Sequence, residues 1–481
     1  MAKNKEPAFV EHITPRSEDF SQWYTDVILK ADLVDYAPVR GCMVIKPYGY
    51  GIWELIQKEM DARFKATGHS NVYFPMLIPE SLLLKEAEHV EGFAPEVAWV
   101  TQGGTEKLQE RLAIRPTSET LFCAMYSKWV QSWRDLPMKY NQWCSVMRWE
   151  KSTRPFLRTS EFLWQEGHTI HATPEEAQEE TLLMLEVYRE FSENVMNIPV
   201  FTGQKSDKEK FAGARATYSM EAMMQDGKAL QAGTSHNFGT NFAEVFDIQY
   251  LSKDGKLEYV HETSWGVSTR LIGALIMTHG DERGLRLPPK LAPIQVVILP
   301  IAAHKPGVLD KATELAKTLE AAGLRVELDD RDTVSAGWKF NEWELKGVPL
   351  RLELGPRDIA QGQVTFVRRD TLEKGQLPLE GIARAARDLL EEVGRALYRQ
   401  AEEFKDAHTY IARNMEELTE GVQTGFVRAS WCGCRECEDE IKEKTTATSR
   451  NMPFDQSDMP SDVCVCCGKP AAKVMYFAKA Y

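Results

Sequence analysis

Long apolar runs are missing from this chain. The longest, Leu291 to Ala303, is interrupted by Pro293, Gln295 and Pro300 and falls short of the roughly 18 residues that a membrane-crossing helix needs. No membrane association is expected. The opening stretch MAKNKEPAFVEH carries lysines with no apolar block behind them, so no secretory signal is read there and a cytoplasmic location is expected. Positive charge is in deficit, with Lys+Arg 58 against Asp+Glu 71 and a formal charge of −13. This excludes indiscriminate nucleic-acid binding, DNA included, yet allows a local basic surface that works by shape and specific contacts. Cysteine is scarce outside one place, since six of the nine fall between Cys432 and Cys467. In a reducing compartment an odd set crowded in this way points to metal rather than to disulfides.

What is present suits a soluble protein of several domains. At 481 residues, 43% hydrophobic and 27% charged, the chain exceeds one core and is long enough for two or three. A proline-rich joint at Pro288-Pro289 and Pro293 marks the first boundary, giving expected domains 1–288, 289–404 and 405–481. In the first, Ile52, Leu55, Ile56, Met60 and Phe64 form one face of a helix that stops at Gly68. Another helix starts at Thr173, with a threonine cap, Pro174 in the first turn, and Glu175 and Glu176 against the positive end of its dipole. Strand-like stretches at Asn71–Pro75, Tyr140–Glu150 and Glu161–Ile170 are joined by turns and loops, which favours an antiparallel sheet. From Ile294 the pattern turns to strand, helix, strand. It predicts a small α/β domain with strands ending near Ile301 and over Leu324–Leu328, Leu350–Leu354 and Val364–Val367, closed by a helix from Leu379 to about Phe404.

Residues two apart on a strand project from the same face. The first domain shows this spacing four times: Arg148 with Glu150, Trp164 with Glu166 and His168, Thr234 with His236, and Thr117 with Glu119 at a strand end or loop. Any one set is ordinarily a solvated face or a salt bridge. Four in one domain would supply cations for an anionic substrate, carboxylates for a cation, and aromatic walls for a small apolar ring. In the tail, Cys432, Cys434 and Cys437 stand across a loop from Cys464, Cys466 and Cys467. A four-thiolate site takes a pair from each cluster, and the commonest spacing selects Cys434 and Cys437 with Cys464 and Cys467. Cys42, Cys123 and Cys144 lie in apolar segments and read as buried packing residues.

Several strings carry a resemblance. RWEKSTRPFLRTSEFLWQEGH resembles motif 2 of the class II aminoacyl-tRNA synthetases, SWGVSTRLIGALIMTHGDERGLRLPP resembles motif 3, and TGHSNVYFP resembles motif 1. With RPTSET, EKFAGA, QAGTSH, WELKGVPLRLELGPRD and a final FAKAY, the sequence resembles the prolyl-tRNA synthetases of archaeal and eukaryotic-like type from about Phe9 onward. The nucleotide-binding signatures of class I enzymes are absent. The resemblance implies an antiparallel class II catalytic domain, an α/β anticodon-binding domain and a small α+β zinc-binding C-terminal domain. It implies an enzyme that joins L-proline to ATP as prolyl-adenylate and passes proline to tRNA(Pro), acting as a homodimer.

Adenylate formation spreads negative charge over phosphate oxygens, so fixed cations are required. The resemblance assigns Arg148 to the carboxylate and α-phosphate, Glu150 to the nucleotide, and Arg270 to the adenine face and terminal phosphate, a dual task suited to a planar guanidinium. Arg158, Gln231 and Thr234 are further ATP contacts, and Mg2+ is expected with the phosphates. Thr117 and Glu119 would receive the secondary ammonium of proline. Trp164, His168, Phe211 and His236 would enclose its ring, with Glu166 supporting the site. An editing insertion is not expected between motifs 2 and 3, where the pattern holds one long helix and a few strands. In the second domain Lys346, Arg351 and Arg357 are candidate anticodon contacts, with Trp338 and Phe340 as stacking surfaces. For the structural Zn2+ the family pattern selects Cys432 and Cys437 with Cys464 and Cys467, leaving Cys434 and Cys466 as extras. The family also folds its terminal residue, here Tyr481, toward the catalytic domain. Two rivals remain: a sister synthetase for threonine, glycine or histidine, and a silent relative that only binds. The first lacks this combination of strings, and the second would have lost Arg148, Glu150 or Arg270.

Overall fold

The computed structural model describes residues 13–87 and 96–481. The opening stretch, including Phe9, lies outside the described residues. The first part of the chain builds α1 (Pro47–Ala66), β1 (Ser70–Asn71), α2 (Glu119–Trp129), β2 (Met138–Met147), β3 (Glu161–His171), α3 (Pro174–Asn194), β4 (Val200–Gln204), β5 (Ala216–Met223), β6 (Ala229–Gly239), β7 (His261–Ser268) and α4 (Arg270–His279). Together with β8 (Met452–Pro453), from much later in the chain, the strands form one sheet in the order β8-β4-β5-β6-β7-β3-β2-β1. Neighbours are antiparallel except β1 with β2.

Alternation gives this sheet two different faces. On β3, Gln165 and Gly167 face back: Tyr188 of α3 donates to Gln165 Oε1 at 2.8 Å, and the Trp265 ring lies where a Cβ on Gly167 would be 2.2 Å from it. Trp164, Glu166 and His168 face the other way. The back face joins α1, α3 and α4 in one core that includes Trp53, Phe64, Tyr188, Phe191 and Trp265. The α1 stripe is Ile52, Trp53, Ile56, Met60 and Phe64, all buried, while Leu55 is half-buried. Thr173 caps α3 by accepting from Glu176 N–H at 3.2 Å.

Two strands of this sheet are shorter than their sequence suggests, as is the one expected over Leu324–Leu328, which covers Val326–Leu328. The stretch expected over Asn71–Pro75 contributes only Ser70–Asn71, because Phe74 N–H goes to the side chain of Gln142 instead of to a backbone carbonyl. The strand expected to reach Glu150 ends at Met147, after which Arg148 N–H bonds Ser160 O at 2.8 Å and Trp149 N–H bonds Glu96 O at 2.9 Å.

The second part holds a five-stranded mixed sheet in the order Val326–Leu328, Val296–Pro300, Leu350–Leu354, Gln363–Arg368, Lys374–Pro378, with the first three parallel. The helix Val308–Ala321 and the long α5 (Ile382–Ala407) bury Leu315, Leu319, Ala386 and Leu390 against it. The last part is a four-stranded sheet, Thr409–Ala412, Phe426–Trp431, Lys473–Ala478 and Thr448–Ser449, carrying α6 (Arg435–Thr445). Its chain leaves this sheet as β8 and pairs with β4 at Gly203, where an added Cβ would lie 2.0 Å from Met452 O.

Candidate active site

The front face of the large sheet carries a cavity of ≈ 280 Å³. Strand register explains its floor. One row runs Gln142, Glu166, Gly266, Thr234, Ser219, and the next runs Tyr140, His168, Ser264, His236, Thr217. The central strand β7 offers Ser264, Gly266 and Ser268 to this face, and the lack of bulk there leaves the space. All thirteen catalytic-domain residues singled out from the sequence line it: Thr117, Glu119, Arg148, Glu150, Arg158, Trp164, Glu166, His168, Phe211, Gln231, Thr234, His236 and Arg270. Lys205 and Phe162 also line it. Phe162 was legible as the next residue on the Trp164 face, whereas Lys205 sits just past the end of β4 with no spacing to mark it.

One end is acidic and aromatic. Thr117 lies in a loop and Glu119 opens α2, so this pair belongs to a loop–helix junction and not to a strand end. The Thr117 hydroxyl donates to Glu119 Oε2. Glu166 accepts from Ser118 N–H at 3.0 Å, Gln142 Nε2 at 2.9 Å and His168 Nε2 at 3.3 Å. Burial alone would raise the Glu166 carboxyl, but His168 and these donors hold it below its ordinary value. Burial alone would depress His168, yet its bond to Glu166 and the nearby Glu119 raise it. Phe122 stacks on His168 with ring centres 4.2 Å apart. His236 is different. Burial, then Lys205 and His168, push it down to about 3, so it is neutral. Phe211 N–H donates to Thr217 Oγ1 at 3.0 Å, and that hydroxyl shares a second hydrogen bond with His236 Nδ1 at 2.9 Å. The Phe211 ring lies 4.9 Å from His236.

The other end is basic. Arg148 is open to solvent at the cavity while protein surrounds its remaining sides. Its Nε donates to Pro116 O at 3.1 Å, and its guanidinium lies 5.6 Å from the Phe162 ring centre and 5.4 Å from that of Trp164. Trp164 is itself pinned by Nε1 donating to Cys144 Sγ at 3.3 Å. Arg270 starts α4 and donates from Nε to Leu157 O at 3.1 Å and from Nη1 to Gln231 O at 3.4 Å. Arg158 closes a turn, its backbone exchanging bonds with Arg154, and its side chain is exposed. Cys144 is not plain packing as expected. It is half-buried, donates to Glu166 Oε1 at 3.4 Å, and burial pushes its thiol up to about 12. Cys42 is likewise half-buried, and of the three only Cys123 is buried.

The tail cysteines converge. Cys432, Cys437, Cys464 and Cys467 place their sulfurs within 4.8 Å of one another. A tetrahedral thiolate site with metal–sulfur bonds of about 2.3 Å has edges of about 3.8 Å. Cys432–Cys437 at 3.6 Å, Cys437–Cys464 at 3.9 Å and Cys432–Cys467 at 3.8 Å fit such edges. Cys434 lies 3.2 Å from both Cys432 and Cys437, too close for a corner. The four-sulfur set therefore fits a metal, and the Cys434–Cys437 pairing that the commonest spacing selects does not.

In the second part, two of the three candidate anticodon cations are engaged within the protein. Lys346 pairs with Glu342 at 3.1 Å. Arg351 pairs with Glu344 at 2.8 Å and Glu353 at 3.1 Å and covers the Phe340 ring at 4.3 Å, so neither it nor Phe340 is free to stack on a base. Their acidic partners are close in the chain: Glu342 and Glu344 in the helix Ala336–Leu345, and Glu353 two residues along the same strand as Arg351. Trp338 is half-buried under Arg331, 5.2 Å from its ring. Arg357 is exposed and has no ion-pair partner among the described residues.

Three family models match the chain: the class II core domain of tRNA synthetases (G, H, P, S and T) over residues 99–279, an anticodon-binding domain over 295–389, and a prolyl-tRNA synthetase C-terminal domain over 415–481. Among curated relatives, a proline–tRNA ligase of Alkaliphilus oremlandii is 63% identical over 479 residues, 99% of each chain. One of Ruminiclostridium cellulolyticum is 62% identical over 483 residues, and the proline–tRNA ligase 2 of Clostridioides difficile is 59% identical, each covering 100% of both chains.

Proposed function

The chain belongs to the family of proline–tRNA ligases, and from that membership we propose how its cavity divides the work of charging tRNA(Pro) with proline. The acidic, aromatic end is the proline subsite. Thr117 and Glu119 receive the secondary ammonium, and Trp164, Phe211, His168 and neutral His236 wall the ring. Glu166 favours the protonated form of His168 and holds it in place. The basic end is the ATP subsite, where Arg148 bridges the proline carboxylate and the α-phosphate, and Arg158 and Arg270 take the remaining phosphate charge, with Gln231 and Thr234 beside them. Glu150 holds the nucleotide.

The carboxylate nucleophile is ionised at neutral pH, so the step needs orientation and charge stabilisation more than a base. Arg148 supplies both, because its fork is fixed by Pro116 O and two aromatic rings before substrate arrives. Class II cores use ATP with Mg2+, which neutralises phosphate charge. Glu150 and Glu209, both lining the cavity and only half-buried, are the carboxylates that would meet it. The observation that carries this reading is the single cavity with an ammonium-accepting end and a phosphate-accepting end. Pyrophosphate exchange that depends on proline, and not on threonine, glycine or histidine, tests it. Arg148→Ala should abolish exchange while leaving the fold intact, and near-normal exchange by that variant would overturn the assignment.

We take residues 1–288, 289–404 and 405–481 as the catalytic, anticodon-binding and C-terminal units, with Arg357 the cation best placed to meet tRNA. The four thiols hold a structural Zn2+, since a closed four-sulfur site leaves no position for substrate. We also propose a cytoplasmic homodimer. Among the described residues no helix is long and apolar enough to cross a membrane, and light scattering reads the assembly directly.

A further inference from the structure

Behind the phosphate end of the cavity lies a charge cluster that neither the motifs nor the family models assign. Glu221 of β5 is opposite Gln231 of β6, whose carbonyl accepts from Arg270. Its side chain is fully buried. An unneutralised carboxylate here would oppose any triphosphate bound next door. Two cations answer it. Arg450, from the C-terminal unit, donates to Glu221 Oε2 from Nε at 3.1 Å and from Nη2 at 2.7 Å. Lys205, which lines the cavity, reaches Glu221 Oε1 and Arg450 O only at 3.4 Å each.

The unequal distances matter. Arg450 takes the carboxylate closely, so Lys205 is held loosely and its charge is not consumed. Two cations against one anion leave a net positive charge at the cavity wall. Arg450 is itself set by surrounding bonds: Nη1 donates to Thr448 Oγ1 at 2.9 Å, its N–H to Tyr476 O at 2.7 Å, and the next residue, Asn451, donates from Nδ2 to Phe201 O at 3.1 Å. The same seam contains Glu438, next to Cys437, which accepts from Ser206 Oγ at 2.7 Å.

We propose that Arg450 is a positioning residue for the ATP subsite: by occupying Glu221 it leaves Lys205 as a further cation for the triphosphate, so the C-terminal unit supplies part of the charge of the active site. This rests on the assignment of the cavity to ATP and proline, which exchange by the unmodified enzyme tests on its own.

Charge counting makes the proposal specific. Arg450→Met leaves the cluster neutral, Glu221→Gln raises it by one charge, and the double variant restores the parent value. In full-length, metal-loaded protein, Arg450→Met and Lys205→Met should each raise the KM for ATP roughly tenfold, the scale of one hydrogen bond to a charged group, with the KM for proline in Arg450→Met within about twofold of the parent. The double variant Glu221→Gln/Arg450→Met should return the KM for ATP to within about threefold, whereas a purely structural role of Arg450 would move the KM for proline together with that for ATP in Arg450→Met. If Arg450→Met fails to fold, the double variant still decides, because it removes the buried carboxylate that Arg450→Met would leave without its close partner. A double variant that folds but keeps a high KM for ATP, or an Arg450→Met variant that raises both KM values together, would overturn the proposal, as would Lys205→Met with an unchanged KM for ATP.

Discussion

Replacing Glu166 by Gln removes one charge and no volume, and its consequence follows from the donors around it. Oε2 accepts from Ser118 N–H and His168 Nε2, and Oε1 from Gln142 Nε2 and Cys144 Sγ. A carboxamide has one acceptor oxygen, so its NH2 must face donors on one side. Gln142 cannot flip to help, because its own oxygen accepts from Phe74 N–H. One buried donor is then unpaired, costing about 1–3 kcal/mol, and the surviving bonds lose their charge assistance, about 1 kcal/mol more. The sum is roughly 3 kcal/mol of local opening free energy, or about a hundredfold faster amide exchange at Ser118 and Phe74 by mass spectrometry. His168 loses the partner that raises its pKa, so proline-dependent pyrophosphate exchange should show a higher KM for proline and little change in that for ATP. Amide exchange within about threefold of the parent, together with an unchanged KM for proline, would refute the account.

Three further outcomes are expected. Burial pushes the Glu262 carboxyl up to about 7, and its Oε2 has no partner among the described residues. The folded chain thus keeps a proton that the unfolded chain releases near pH 4, and this group's contribution to stability falls as pH rises from about 4 to 7. Glu262→Gln should narrow the difference in thermal midpoint between pH 5 and pH 8, and an unchanged difference would show that Glu262 does not titrate there. Elemental analysis should find one zinc per chain in Cys434→Ser and a large loss in Cys467→Ser; the reverse would move Cys434 into the ligand set. Gly203→Ala should expose the stretch around Met452 to limited proteolysis, since the added methyl meets Met452 O at 2.0 Å; unaltered cleavage would mean that β8 docks without that close approach.

Trp164, Glu166 and His168, and Thr234 with His236, were legible from i, i+2 spacing because strand alternation aims them together, whereas Arg158, Phe211, Gln231 and Arg270 were found through the resemblance alone. Resemblance chose Cys432 over Cys434, and sulfur–sulfur distances agree for a geometric reason that spacing rules do not contain. Harder to read were features fixed by distant partners. Arg148 and Glu150 share no strand because Met147 is the last residue in the ladder, a stop imposed by Ser160 and Glu96. Arg351 is the opposite case, since its partners Glu344 and Glu353 stand within seven residues of it in the chain and the i, i+2 spacing of Glu353 was there to be read. Lys205 and Glu221 carried no motif, since their significance comes from Arg450, 229 residues beyond Glu221 in the chain.

Because β8 is the outer edge of the sheet that bears the cavity, the order of synthesis constrains the order of completion. A ribosome releases β4 through β7 long before Met452, so the growing polypeptide spends that interval with β4 as an unpaired edge, open to wrong neighbours. The sheet beneath the cavity gains its last strand only when the stretch around Met452 emerges.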